Sequence, residues 1–324
     1  MTVTIDFTLS APQEQIAKSA IDVRRFARPA IPFVNARTAF RAFMLALGFS
    51  SEDEVLLPAY VGWSTREGSG VFDPVQEVGV RFRFYAMTDR LAIDIDDLYA
   101  KLAVGRPRLL VLIHYFGFPD SNVAKAVAMA RERGVLILED EAHALYSDWI
   151  GGVCGRFGEA TILSLHKMLP FEAGGLLVLN SSLDLATAIL LKHSPLQQPL
   201  EQHPMDYDLG EIAASRRTNA GKLLKLLPRL RGKADPLYST LPEGVIPQTL
   251  PVIITGRSRD ELYFELNARG YGVVSLYHTL IGQIQQSEFP MSHWLARHIL
   301  NLPVHQDVLP DQIEALVAQL AVLL

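Results

Sequence analysis

The chain has 324 residues, 49% of them hydrophobic and 20% charged, with 30 basic and 35 acidic side chains for a net charge of −5. This balance excludes disordered, collagenous and coiled-coil chains, and neither sign forms the charge blocks that track nucleic acid or an anionic membrane. At this length roughly three quarters of the unfolded chain's surface can be buried, so a sizeable core needs no staples. The single cysteine, Cys154, forms no internal disulfide and builds no metal cage alone, which suits a reducing compartment. Apolar runs fall short of the roughly 18 residues a membrane helix needs: His114 interrupts one and Gln319 another. The start, MTVTIDFTLSAPQEQ, lacks the order of a secretory signal, so a cytoplasmic protein is expected.

In chain order, the apolar pattern predicts a helix over 38–48, a short strand over 54–57 closed by Pro58, and a short helix over 64–70. A β-rich run at 80–85 precedes a helix over 94–102, a buried strand over 108–114, a helix over 121–133 ended by Gly134, and a buried strand over 135–138. Two further β-like runs, 160–165 and 176–179, flank HKMLPFEAGG, and a long helical pattern covers 208–227. After Pro228 and Gly232 come a strand over 251–254, a helix over 260–268, a strand over 272–276 and a closing helix over 310–323. Such alternation, with continuously apolar strands, predicts an α/β fold: a mostly parallel sheet sandwiched by helices, with a smaller C-terminal α/β unit. The expected division is a large domain over 1–228, including an N-terminal arm, and a small one over 229–324. No Gly/Ser linker separates them, so the two are expected to pack together.

In open sheets of this kind ligands bind beyond the carboxyl ends of the strands. The segments there are PAY after Leu57, HYFG after Ile113 and EDEAH after Leu138. Asp140 at such a tip is either a strand-end cap or a functional carboxylate: a metal ligand, a general base or a partner for a cationic ring nitrogen. Lys167, after TILSL, is either a surface lysine or a nucleophile, and a nucleophilic lysine needs surroundings that lower its pKa. The combination narrows the choice. An aspartate after one strand, a lysine 27 residues later after another, and the Gly174-Gly175 turn into a further strand are the parts of a pyridoxal phosphate site. There a lysine holds the cofactor, a carboxylate keeps the pyridine nitrogen protonated, and the start of a helix such as the one opened by VNARTAF holds the phosphate. Trp63 either stacks on the cofactor or packs in the core. His278, His293, His298 and His305 show no metal-ligand spacing, and no metal is expected.

These residues carry a resemblance. ILEDEAHAL resembles the IEDAAHA segment of the DegT, DnrJ and StrS family of fold-type I aminotransferases, and LSLHKMLPFEAGGLLVLN resembles that family's segment from its lysine to its glycine pair. ARTAFRAFMLAL, EDEVLLPAY, HYFGFPDS, ASRRTNAGKL and ILNLPVHQDVLPDQIEAL resemble further segments in the same order, so the likeness spans roughly residues 33 to 320.

The resemblance implies that Lys167 forms the covalent link to pyridoxal phosphate and shuttles the proton, and that Asp140 pairs with the pyridine nitrogen. It implies His143 against the ring or its phenolic oxygen, and Ser164, Ala36, Arg37 and Thr38 around the phosphate. The chain departs from the pattern at Ala36 and Arg37, which stand where the family has glycine and threonine, so a guanidinium is expected to supplement the backbone amides. It also lacks a counterpart of the family's GYNYRM segment around HPMDYDLGEI. The implied activity is transfer of an amino group from an amino acid, by analogy glutamate, to a keto sugar, by analogy nucleotide-linked, in a homodimer. The alternatives are a pyridoxal-phosphate-dependent sugar dehydratase, whose family members carry histidine in place of the lysine, and a non-catalytic regulatory homologue.

Overall fold

The computed structural model describes residue 28 and residues 30–181, 183, 185–194 and 207–324. Nearly all of the expected N-terminal arm, and the HPMD part of the segment compared with GYNYRM, lie outside the described residues. In chain order the elements are β1 (Ala30–Phe33), α1 (Ala36–Ala46), β2 (Glu54–Pro58), α2 (Phe72–Val78), β3 (Arg81–Tyr85), α3 (Ile95–Ala103), β4 (Leu109–Ile113), α4 (Val123–Arg131) and β5 (Leu136–Asp140). There follow α5 (Leu145–Trp149), β6 (Ala160–Ser164), β7 (Gly175–Leu179), α6 (Thr187–His193), α7 (Leu209–Leu226), β8 (Ala234–Pro236) and β9 (Thr249–Ile254). The chain closes with α8 (Arg259–Ala268), α9 (Pro290–His298), β10 (Ile299–Pro303) and α10 (Pro310–Leu323).

Among the described residues the larger sheet has seven strands in the order β1-β7-β6-β5-β4-β2-β3. From β3 through β6 every pairing is parallel, whereas β7 runs antiparallel to both β6 and β1. All residues of β2, β4 and β6 are buried, as sequences such as LLVLI require when helices cover both faces. Each buried Leu, Ile or Val contributes roughly 1.5–3 kcal/mol to the core. The second sheet, β10-β9-β8, is antiparallel. The two sheets are tied through Ser147, whose hydroxyl donates to Gly117 O and accepts from Ile246 N, and through the Gln248 N–H, which donates to Phe116 O.

The chain differs from the sequence pattern in two places. Residues 64–70 form a turn with a Ser64–Gly68 bridge, not a helix, and the helix begins at Phe72, where Ser69 and Asp73 bond the entering backbone. Residues 272–276 make a single antiparallel bridge, Val274 to Asn301, so the apolar run VVSL serves a crossing loop instead of a strand. No described helix is long and apolar enough to cross a membrane.

Candidate active site

The ends of the parallel strands β5 and β6 and the segment that follows β2 border one cleft of about 600 Å³. Its walls come from the start of α1, from residues 61–71, from the ends of β5 and β6, and from the loop at 275–278. That loop is held over the cleft by backbone bonds from Trp63 N to Thr279 O and from Ile281 N to Val61 O.

Asp140 is the last residue of β5. Because side chains alternate along a strand, Glu139 and Asp140 leave on opposite faces, and Asp140 takes the cleft side. Its Oδ1 accepts the Ala142 N–H at 2.8 Å. Burial pushes its carboxyl pKa up, opposed by that N–H and by the Lys167 amine. Lys167 lies three residues beyond β6 and lines the same cleft, to which it shows its side chain. The protein packed around it lowers the amine's pKa; Asp140 and Glu67 act to raise it and Arg37 adds to the lowering. The amine is thereby brought closer to its nucleophilic, neutral form while a carboxylate stays within electrostatic reach.

His143 is buried at the cleft wall and lies nearly parallel to Phe116, with ring centroids 6.0 Å apart and 14° between planes. Its Nδ1 accepts the Phe116 N–H at 3.4 Å, and burial with the nearby Lys167 amine holds its pKa well below the ordinary value. The ring is therefore neutral, with its proton on Nε2. Tyr277 closes this wall edge-on to His143, at 5.7 Å and 70°.

α1 opens at the cleft. Asn35 caps it, its Oδ1 accepting Thr38 N at 2.8 Å and Thr38 Oγ1 at 3.0 Å. The N–H groups of Ala36 and Arg37 have no carbonyl within the helix to bond, and both residues line the cleft, so the helix start is built to receive an anion. Backbone meets backbone here: a Cβ on Gly175 would stand 2.3 Å from Ala36 N and 2.2 Å from Asn35 C. Ser164, the last residue of β6, faces the same space, with its Oγ 3.3 Å from His166 Nδ1.

Seven of the eight residues singled out in the sequence thus meet at one cleft: Ala36, Arg37, Trp63, Asp140, His143, Ser164 and Lys167. Thr38 does not line it; its hydroxyl donates to Asn35 Oδ1 in the helix cap. Arg37 reaches the cleft, but its guanidinium donates to Glu67 O and pairs with Asp73 at 3.5 Å. Trp63 is 44% exposed, so the core alternative for it falls. Sequence reasoning missed Asn35, Glu67 and Tyr277. The Asn35 cap was legible as an N-cap letter before an apolar helix; Tyr277 carries no local signal, because its place depends on a left-handed backbone (φ 57°) in a loop from the far end of the chain.

The fold is that of the fold-type I aminotransferases, a large mostly parallel sheet with a smaller sheet from the C-terminal region. Residues 22–209 match the DegT/DnrJ/EryC1/StrS aminotransferase family, and the chain belongs to it. It is similar to GDP-perosamine synthase of Escherichia coli O157:H7, 24% identical over 149 residues, which cover 45% of this chain and 39% of that enzyme. The chain therefore spans about two fifths of the length of that relative. It is also similar to UDP-N-acetyl-3-dehydro-alpha-D-glucosamine 3-aminotransferase of Acidithiobacillus ferrooxidans, 24% identical over 301 residues, 83% of this chain and 77% of that one. Among solved structures, DesV of S. venezuelae in complex with a ketimine intermediate superposes with a TM-score of 0.73 at 19% identity, over 95% of this chain and 86% of that one.

Proposed function

We propose that this protein is a pyridoxal-phosphate-dependent aminotransferase that moves an amino group from an amino acid, glutamate by analogy, to a keto sugar linked to a nucleotide. The observation that carries the reading is the meeting of Lys167 and Asp140, from two different strand tips, at one cleft where each lies within the other's field. The residues present suit the cofactor: a depressed lysine amine, a carboxylate facing it, a neutral flat ring at the wall, and a helix start with two free backbone donors. When bound, pyridoxal phosphate supplies a carbonyl that condenses with amines and a ring that accepts the electron pair released at the substrate carbon.

The chain's own groups do the rest. Lys167 Nζ would hold the cofactor and serve as the base and acid that moves the proton at the substrate carbon. Asp140 holds the proton of the pyridine nitrogen, which keeps the ring cationic. The N–H groups of Ala36 and Arg37, with Ser164, bind the phosphate. His143 would lie against the ring, backed by Phe116 and met edge-on by Tyr277 at the cleft wall. Keto-sugar chemistry is supported by the names of the relatives, among which solved structures also include keto-sugar dehydratases.

The absorption spectrum of the purified protein tests this reading. We expect a yellow protein whose band fades on adding glutamate, and a Lys167→Ala variant that lacks the band and all transamination. A colourless wild type that takes up no pyridoxal phosphate would support a regulatory role, and a yellow protein inert to every amino donor would favour elimination.

A further inference from the structure

Behind Asp140, on the face of β5 turned away from the cleft, lies a second group of buried polar side chains that the proposed reaction does not use. His114 follows β4, Glu139 and Glu141 flank Asp140, and Cys154 sits in the loop after α5; all four are fully buried. The Glu141 N–H donates to Ile162 O, which continues the ladder between β5 and β6 by one residue and fixes Glu141 on the same face as Glu139.

The hydrogen bonds here are unevenly shared. Glu139 is fully used: it lies 2.8 Å from His114 Nε2 and accepts the N–H groups of Gly155, Phe157 and Gly158. Burial opposes its charge, but His114 and those amides outweigh burial and keep its pKa below the ordinary value. Glu139 occupies His114 Nε2, and the other ring nitrogen, Nδ1, is buried with no hydrogen-bond partner. Neither oxygen of Glu141 accepts a hydrogen bond. The ligand atoms of His114, Glu141 and Cys154 all lie within 4.8 Å of one another. Gly155 makes room for them, since a Cβ there would stand 2.6 Å from Glu141 Oε1.

We propose that His114, Glu141 and Cys154 bind one divalent cation of the zinc type, a site separate from the cofactor cleft. A nitrogen, a thiolate and a carboxylate are zinc's ordinary donors, and ligand atoms on one tetrahedral zinc stand about 3.3–3.8 Å apart, within a small side-chain rotation of the spacing here. The His114–Glu139 pair is the carboxylate behind a ligating imidazole that fixes its tautomer and raises its basicity. Three protein ligands leave the fourth position to water. Without a cation, burial and the carboxylates of Glu141, Glu139 and Asp148 push the Cys154 thiol up, and a divalent charge at the centre reverses the sign of that field. The competing arrangement is a proton shared between Glu141 and Asp148, whose other partners are Arg28 and Arg156. Bound metal would pin the ends of β4 and β5 to the loop at 154 and so hold the strand tip that carries Asp140.

The test uses the full chain with its cofactor, equilibrated with Zn²⁺, exhaustively dialysed and assayed for zinc by mass spectrometry. Wild type is expected to retain about one zinc per chain, Glu141→Gln and Cys154→Ser at least tenfold less, and Glu139→Gln to bind roughly 10–100-fold more weakly. Cobalt loading gives a second readout that needs no variant: the difference spectrum of wild type with and without Co²⁺ should show a thiolate-to-cobalt band. Zinc far below stoichiometry in wild type, equal zinc in wild type and Cys154→Ser, or a cobalt spectrum without thiolate character would each overturn the site. The outcome is independent of whether glutamate bleaches the cofactor.

Discussion

At the scale of single residues, Lys167 answers two demands that oppose each other. The surrounding protein lowers the pKa of its amine, which is open to the cleft, while Asp140 and Glu67 favour the charged form, so the amine stays available without being stranded. Asp140→Asn keeps the size of the side chain and removes the charge that would hold the ring nitrogen's proton. We expect its turnover to fall at least about 100-fold, with circular dichroism unchanged, in a steady-state transamination assay. His143 offers a test through pH. Its folded pKa lies well below 6.5, the ordinary value, so below that pH the unfolded chain takes up a proton the native protein refuses. Its share of stability is complete above pH 6.5 and is lost as pH falls below it, by up to about 1.4 kcal/mol per pH unit. Urea midpoints of the cofactor-free protein between pH 5 and 7.5 should show this slope, and His143→Asn should flatten it by one proton's worth. An identical slope in the variant would move the effect to another group.

Among elements, the approach of β7 to the start of α1 sets the anion site. A Cβ on Gly175 would collide with main-chain atoms of Asn35 and Ala36, which cannot swing aside as a side-chain tip can. Gly175→Ala should therefore cost about 1–3 kcal/mol in chemical denaturation and weaken pyridoxal phosphate binding with it. The elements that build the site were the most readable in the sequence: β4 is an unbroken apolar run and β5 begins as one before Glu139 and Asp140, a pattern that suits a doubly covered sheet whose strand tips are where ligands bind. What local pattern concealed was the contribution of loops. SerThrArgGluGly at 64–68 holds helix formers, yet its backbone closes on itself as a bridged turn, and residues 272–276 have a strand's composition but touch the neighbouring strand β10 through the single bridge Val274–Asn301. The strand β10, the helix α9 and the short strand β1 owe their form to partners remote in sequence, Ile299 pairing with Ile253 and Ala30 with Val178.

For the whole molecule, the ends of the larger sheet and a loop from the far part of the chain meet at the cleft: Asp140 ends β5, Lys167 follows β6, and the chain beyond α8 sends Tyr277 and His278 to its wall. We propose the division at residue 228 on this basis, together with a two-fold dimer that covers the exposed Trp63 rim. Sedimentation should give twice the mass of one chain, and a fully active monomer would contradict it. Three consecutive acids, Glu139, Asp140 and Glu141, serve two chambers by turning alternately left and right. That arithmetic makes the middle of β5 intolerant of length change. One extra residue between 136 and 139 would leave a chain of unaltered composition and nearly unaltered hydrophobicity whose acids had traded rooms, with aspartate walled in and a glutamate facing the vitamin.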